Sequence, residues 1–406
     1  MRIGLISFHS FYQPGGVKRH VLGLHKEFKR RGIYSKIIAP RRKWSEDYGK
    51  DVILLGTSFP LSFSGSQADF DINFNPLAIE RVLKKEKFDV LHFHNFGFPS
   101  AYQILEKSEA LNILTFHANI SGSKFFKRFP SLLYVFNRLA QWKIDGVIGV
   151  APLNIKVFKK YTGPKAVITN GIDLDEFNSK VPKLEKFIND KINILFVGRI
   201  EERKGLIYLL KAYKILSKKF SHLRLYVVGE GELKEKCQDY IRKNNLKEIY
   251  FEGQIIGKKL VSYYRSCDIF VSPAIFGESF GLVLLEAMAC GAPVVAFANE
   301  GYKAFLKDKR GGKFLAQNRS YQDLAKKIEI LIKNKKMRKE MSKWGIEEAQ
   351  NYSWSKIADR VLDFYQLCLK ERGKRETGDE FFLDKILNKI YNQDVRDVIN
   401  WLKKLR

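Results

Sequence analysis

The sequence predicts an α/β protein made of two Rossmann-like halves facing an interdomain cleft, followed by a helical extension. Short β-branched runs alternate with helical stretches, the pattern of parallel βα units. The alternation pauses near residue 170 and restarts at 192–198. A chain of 406 residues has the length of two or three domains.

In chain order, residues 1–7 read as a strand, and a glycine-rich turn leads into a helix at 17–31. Strands follow at 35–39, 52–56, 89–94, 112–116 and 146–150, with helices at 100–107 and 125–142. Asn170-Gly171-Ile172-Asp173 is turn chemistry, and the polar stretch 178–191 with Pro182 is a connection. The second half opens with a strand at 192–198 and continues with strands at 223–228, 249–253, 268–272 and 293–297. Its helices fall at 205–219, 232–243, 258–266 and 282–290. Beyond about 323 the chain is helical, and a helix at 354–369 can return to the first half. The predicted units are 1–170, 171–352, the returning helix 353–370, and a charged amphipathic extension at 371–406. Such sheets bind ligands at the carboxyl ends of their strands, so two of them face to face make an interdomain site.

The 72 basic and 44 acidic residues leave a net charge of +28, which favours anionic partners. Nucleic acid, anionic lipid and phosphorylated substrates all qualify, and a lysine-rich surface also serves solubility alone. Cys237, Cys267, Cys290 and Cys368 lack CxxC spacing, which argues against a disulfide framework or cysteine zinc site and fits a reducing cytosol. The amino-terminal apolar run is too short for a secretory signal, and no run approaches the ~20 residues of a membrane span. The expected location is cytoplasmic, extending to a peripheral position at the inner membrane face. The basic and aromatic run Lys124-Phe125-Phe126-Lys127-Arg128 is the candidate contact with an anionic membrane surface. An ordinary helix with one buried side explains the same run.

The chemistry-bearing residues cluster in a few segments. Glu278 and Glu286 stand eight residues apart in Gly277-Glu278-Ser279-Phe280-Gly281-Leu282 and the apolar run that follows. Glu286 reads as lying two turns into a helix, where a carboxylate needs a partner or a ligand. Glycines, outward N–H groups and carboxylates together suit a polyhydroxylated ligand. Gly15-Gly16 before a helix N-terminus suits an anion, although a plain tight turn fits too. Arg199 and Lys204, in the first turn of the second half, can neutralise a diphosphate. His92 and His94 share a strand face, but a metal would need a third ligand, and none is obvious. His117 reads as a cleft residue or as a hydrogen-bonded loop histidine. Asp69-Phe70-Asp71 and Asp173-Leu174-Asp175 spell DxD and are expected as turn and capping carboxylates rather than metal ligands.

Taken together these segments resemble the family-4 retaining glycosyltransferases of the GT-B fold over residues 1 to about 370. The motifs are Gly15-Gly16-Val17 with His20, Asp89-Val90-Leu91-His92-Phe93-His94, Thr115-Phe116-His117, Asn170-Gly171-Ile172-Asp173, Gly198-Arg199 with Lys204-Gly205, and the E-x7-E element from Glu278 to Glu286. The first half looks most like phosphatidylinositol mannosyltransferases. The resemblance implies a hexosyltransferase that moves mannose, by preference, from a nucleotide-diphosphate sugar to a lipid or glycan. GDP-mannose is the favoured donor, a UDP-sugar the other option, and no cofactor or metal is required. It implies that Gly15 and Gly16 back the donor diphosphate and that Arg199 and Lys204 bind it and stabilise the leaving nucleotide. Glu278 then bonds sugar hydroxyls, with Ser279, Phe280, Gly281 and Leu282 around the donor, and Glu286 holds the ribose. His117 sits beside the sugar, and His20, His92, His94 and Asn119 lie on the acceptor side.

Three other readings stand beside this one. A glucosyl- or N-acetylhexosaminyl-transferase has the same fold. A sugar-binding scaffold keeps the fold without the activity, although the full set of Arg199, Lys204, Glu278 and Glu286 argues against decay. A basic nucleic-acid-binding protein would use the charge, but no helix-turn-helix, RNP or zinc pattern supports it, so no nucleic-acid partner is expected.

Overall fold

The computed structural model describes residues 1–12, 15–63, 66–72, 75–95, 100–118 and 131–372. Asn119, the run at 124–128 and the extension from 373 onwards lie outside them. Strands β1 (Arg2–Ser7), β2 (Tyr34–Arg41), β3 (Val52–Phe63), β4 (Ser66–Ile72), β5 (Val90–His94), β6 (Leu111–Phe116), β7 (Gly146–Gly149) and β8 (Lys165–Val167) form one sheet. Its order is β4-β3-β2-β1-β5-β6-β7-β8. A second sheet contains β9 (Ile192–Val197), β10 (Leu223–Val228), β11 (Ile249–Gly253), β12 (Ile269–Ser272), β13 (Val294–Phe297) and β14 (Leu315–Ala316). Its order, β11-β10-β9-β12-β13-β14, is that of a doubly wound dinucleotide fold. The chain therefore has the α/β fold with two Rossmann-like sheets that its alternating pattern predicts.

The strands run apolar without alternation because helices cover both faces of each sheet. Ile3, Leu5 and Ile6 of β1 are all fully buried, as are Ile194, Leu195 and Phe196 of β9. Among the described residues the one antiparallel pair is β3 with β4. There the sequence expectation needs correcting. Asp69 and Asp71 lie on edge strand β4, opposite Pro60 and Ser58, and not in a turn. Their alternation with Ala68, Phe70 and Ile72 is the period of a strand, and it outweighs the turn preference of aspartate. Asp173 does act as a turn carboxylate, accepting from the backbone N–H groups of Asp175 and Glu176 at 3.0 and 3.3 Å.

The last described helix, Trp354–Glu371, belongs to the core of the first sheet. Ile357, Ala358, Val361, Phe364, Tyr365 and Cys368 pack with Ile3, Val21, Leu24 and Ile113. Trp354 fills the space left by two glycines. A β-carbon on Gly23 would fall 2.0 Å from its ring, and one on Gly171 would fall 2.5 Å from it. The outgoing and returning segments are tied together where they cross. Ile172 N–H donates to Tyr352 O at 2.8 Å, and Trp354 N–H donates to Ile172 O at 3.3 Å. Among the described residues no helix is long and apolar enough to cross a membrane.

Candidate active site

Strand order reverses between β1 and β5 in one sheet and between β9 and β12 in the other. These switch points are where doubly wound sheets open a crevice for a ligand. The loops that leave β1, β9 and β12 carry Gly15-Gly16, Gly198–Gly205 and Gly277–Gly281, while β5 ends at His94 and His117 directly follows β6. Sequence segments far apart in the chain thus arrive at one place.

On the second half, Glu278 is the centre of a charge cluster. Lys204 Nζ lies 2.6 Å and Arg203 Nη1 2.9 Å from the same carboxylate oxygen. Burial alone would push the Glu278 carboxyl up, but the charges of Lys204 and Arg203 outweigh it and hold it below the usual range. The cluster depends on close packing of two loops. Gly205 sits at φ +68°, and a β-carbon there would fall 2.1 Å from the carbonyl oxygen of Pro273. Gly277, at φ +75°, leaves room for the Arg203 stem, which a β-carbon would meet at 2.7 Å. Arg199 lies apart from Glu278. Its guanidinium is half exposed and pairs with Glu201 at 3.6 Å.

The helix Leu282–Ala289 starts from Gly281 at φ +106°. Glu286 is its fifth residue, one turn in rather than the two turns that the spacing suggested, because the three residues after Glu278 form loop and cap. Glu286 is 3% exposed. One carboxylate oxygen accepts from Tyr264 Oη at 2.9 Å, and the other pairs with Arg19 from the first half. Burial raises the Glu286 carboxyl above its ordinary range, and Arg19 and Tyr264 offset only part of that. The two glutamates of the motif are therefore pushed to opposite sides of the usual value. Phe280 contributes its side chain to the core, with its ring 4.7 Å from Phe305 and 5.5 Å from Tyr352, which leaves only its backbone for any other contact.

The first half supplies the opposite wall. Gly15 is extended and supplies no side-chain cap to the helix Gly16–Arg30, so among the described residues its first N–H groups could meet an anion. A β-carbon on Gly16 would be in ordinary contact with Leu282 at 3.8 Å, so these two residues face each other across the halves. Ser279 Oγ donates to the His117 carbonyl at 2.7 Å, a second link across.

The histidines group differently from the strand pattern. His92 does stack on His94 at 4.4 Å. However, its two ring nitrogens are taken by Tyr365 Oη at 2.7 Å and Thr115 Oγ1 at 2.6 Å. His94 instead joins His117, 3.1 Å away, and His20, whose ring lies 5.2 Å off. Burial drives His94 and His117 well below the usual imidazole range and His20 down to about 4, the last against a raising hydrogen bond from Asn170. All three are neutral at physiological pH.

Sequence reasoning passed over Arg203, Arg19, Tyr264 and Glu201. Arg19 lies between Val17 and His20 and Arg203 between Arg199 and Lys204, and their charge was the available signal. Tyr264 had no local signal, since it lies 22 residues from Glu286 and meets it only through packing.

Comparison with known proteins matches both halves to family models. Residues 14–176 match Glycosyltransferase Family 4, and residues 179–348 match Glycosyl transferases group 1. A phosphatidyl-myo-inositol mannosyltransferase of Mycobacterium leprae is 32% identical over 377 residues, covering 90% of this chain and 96% of that protein. Among solved structures, a sucrose-phosphate synthase of Thermosynechococcus elongatus has a TM-score of 0.72 at 20% identity, covering 91% of this chain and 99% of that one. The Anabaena protein HepE, in complex with UDP and glucose, has a TM-score of 0.69 at 19% identity, covering 89% and 98%.

Proposed function

This chain is a glycosyltransferase of the family-4, GT-B type, and from that premise we propose that it transfers mannose from a nucleotide-diphosphate sugar to a phosphoinositide-like lipid with retention of configuration. The observation that carries the reading is the convergence at Glu278. Two cations and a carboxylate on the second half stand across from an uncapped helix N-terminus and His117 on the first. The similarity to phosphatidyl-myo-inositol mannosyltransferases supports mannose and the lipid acceptor. GDP is the favoured base, and UDP, present in the HepE complex, is the alternative. The lipid acceptor supports a peripheral place at the inner membrane face.

In this proposal the donor diphosphate lies between Gly15-Gly16 and the Arg199, Arg203 and Lys204 side chains. Breaking the anomeric bond leaves negative charge on the diphosphate and positive charge on the sugar ring. Fixed cations and helix N–H groups lower the first cost because they need no reorganisation. Glu278 accepts from sugar hydroxyls and Glu286 from the ribose, so each exchanges its present partner for a ligand. The carboxylates do not flank a bond as in double-displacement glycosidases. Departure and attack on one face, with the leaving phosphate taking the acceptor proton, fits this set. His117 lies beside the reacting sugar, with His20, His92 and His94 behind it.

The test combines binding and turnover. Nucleoside diphosphates and their sugars are screened for thermal stabilisation, and a native-state ligand at 100 times its Kd adds about 2.7 kcal/mol. Lys204→Ala and Glu278→Gln are then assayed with the stabilising donor. Loss of about 100-fold or more in kcat with folding intact is expected, and full activity in both variants refutes the site.

A further inference from the structure

The histidine cluster carries a chemistry that sugar transfer leaves unused. One ring nitrogen from each of His20, His94 and His117 lies within 4.8 Å of the other two. The His94 Nδ1 to His117 Nε2 distance of 3.1 Å is close to the ~3.3 Å between two nitrogens on one tetrahedral zinc with bonds of about 2.05 Å. His20 Nε2 is buried and has no hydrogen-bond partner. An orphaned buried polar atom is uncommon and calls for a reason.

His20 shows which way its lone pair points. Its Nδ1 lies 2.8 Å from Asn170 Oδ1. An amide oxygen only accepts, so Nδ1 carries the proton and Nε2 presents the lone pair. This is how metal-ligating histidines are oriented by a second contact. The ligands come from three separate places, which are the helix Gly16–Arg30, the end of β5 and the residue directly after β6. Burial keeps the rings neutral, the form that ligates. His92 is excluded, because both of its nitrogens are engaged.

We propose that His20, His94 and His117 form a three-histidine site for a divalent transition ion of the zinc class, with a fourth position open toward the cleft. Imidazole sets of this kind suit zinc, copper and nickel, and three histidines with an open position are a common zinc arrangement. The ion would engage His117, which the proposed function puts beside the reacting sugar, where the acceptor must approach. It therefore competes with the acceptor and inhibits transfer.

The experiment uses the full chain without donor or acceptor. Cobalt(II) is titrated while the visible d–d bands are followed, and zinc is then added to displace it. One equivalent of cobalt, with the intense bands of a low-coordinate site lost on zinc addition, is expected. His117→Gln, a change at the cleft edge, should abolish the bands. Asn170→Ala, which removes only the orienting contact, should weaken binding by about 10–100-fold. His222→Gln, on an exposed residue far from the cluster, should change nothing. No bands, bands retained in His117→Gln, or bands lost in His222→Gln overturns the proposal. Stabilisation by a nucleoside diphosphate is read in parallel, so loss of the metal site leaves the donor site independently tested.

Discussion

Removing Arg19 should destabilise the donor-free protein in a way that depends on pH. Arg19 reaches from the first half to Glu286, whose side chain is 4% exposed, while Arg19 itself is 47% exposed. Breaking a fully buried pair costs about 3–5 kcal/mol. Here water can replace the half-exposed guanidinium, and Tyr264 still donates to the carboxylate, so about 1–2 kcal/mol is the appropriate figure. For units of this size that is a fall in Tm of roughly 3–6 °C. The sign follows from the carboxyl. Its folded pKa already lies above the ordinary value because of burial, with Arg19 opposing. Without Arg19 it rises further. At pH about 8 the variant must bury an unpaired charge or take up a proton, and either costs stability. As pH falls through the raised pKa, Glu286 is protonated in both proteins and the difference closes. The assay is thermal unfolding of wild type, Arg19→Ala, Glu286→Gln and the double variant at pH about 8 and about 4, the latter below the ordinary carboxyl value. A cycle with strong coupling at high pH and little at low pH is expected. Equal loss at both pH values, or the same Arg19→Ala effect in the Glu286→Gln background, would refute the argument.

Other outcomes follow from single contacts. Tyr264→Phe removes the neutral donor to Glu286 and should cost about 1–2 kcal/mol in urea unfolding at pH about 8, with a smaller loss in acid. Gly205→Ala places a β-carbon 2.1 Å from Pro273 O at φ +68°. The clash and the left-handed backbone should cost about 2–4 kcal/mol, and a variant within 0.5 kcal/mol of wild type by denaturant titration would contradict the loop packing. Glu248 is held at about 2 by Lys191 and Arg224, against an ordinary 4.5. It contributes stability above the ordinary value, and that contribution disappears as pH falls from about 4.5 to about 2. The group is partly exposed, so about 1 kcal/mol or less is at stake. Glu248→Gln should lower Tm near neutrality and match wild type at pH about 2.

Much of the fold was legible locally. Buried parallel strands are continuous apolar runs, so β1, β5, β6, β9, β10 and β12 could be read to within a residue or two. Short edge elements were not. Strands β8 and β14 have three and two residues, too few for a period to show. Strand β4 was hidden by aspartates whose preference for turns gives way to pairing with β3. At the site, Lys204 and Glu278 could be named from their motifs. Their 2.6 Å contact could not, because 74 residues separate them.

The amino-acid sequence by itself determined the alternation, the glycine-rich loops at the strand ends and the family. Each of these rests on neighbouring residues and on motifs that are contiguous in the chain. Only the tertiary structure decided who pairs with whom. It placed Arg203 rather than Arg199 on Glu278, Arg19 on Glu286, Tyr365 on His92, and His94 with His20 and His117. The physical reason is that a buried charge or ring nitrogen takes whatever partner the packing delivers. That partner comes from another loop or the other half, at a distance in the chain that no local pattern encodes.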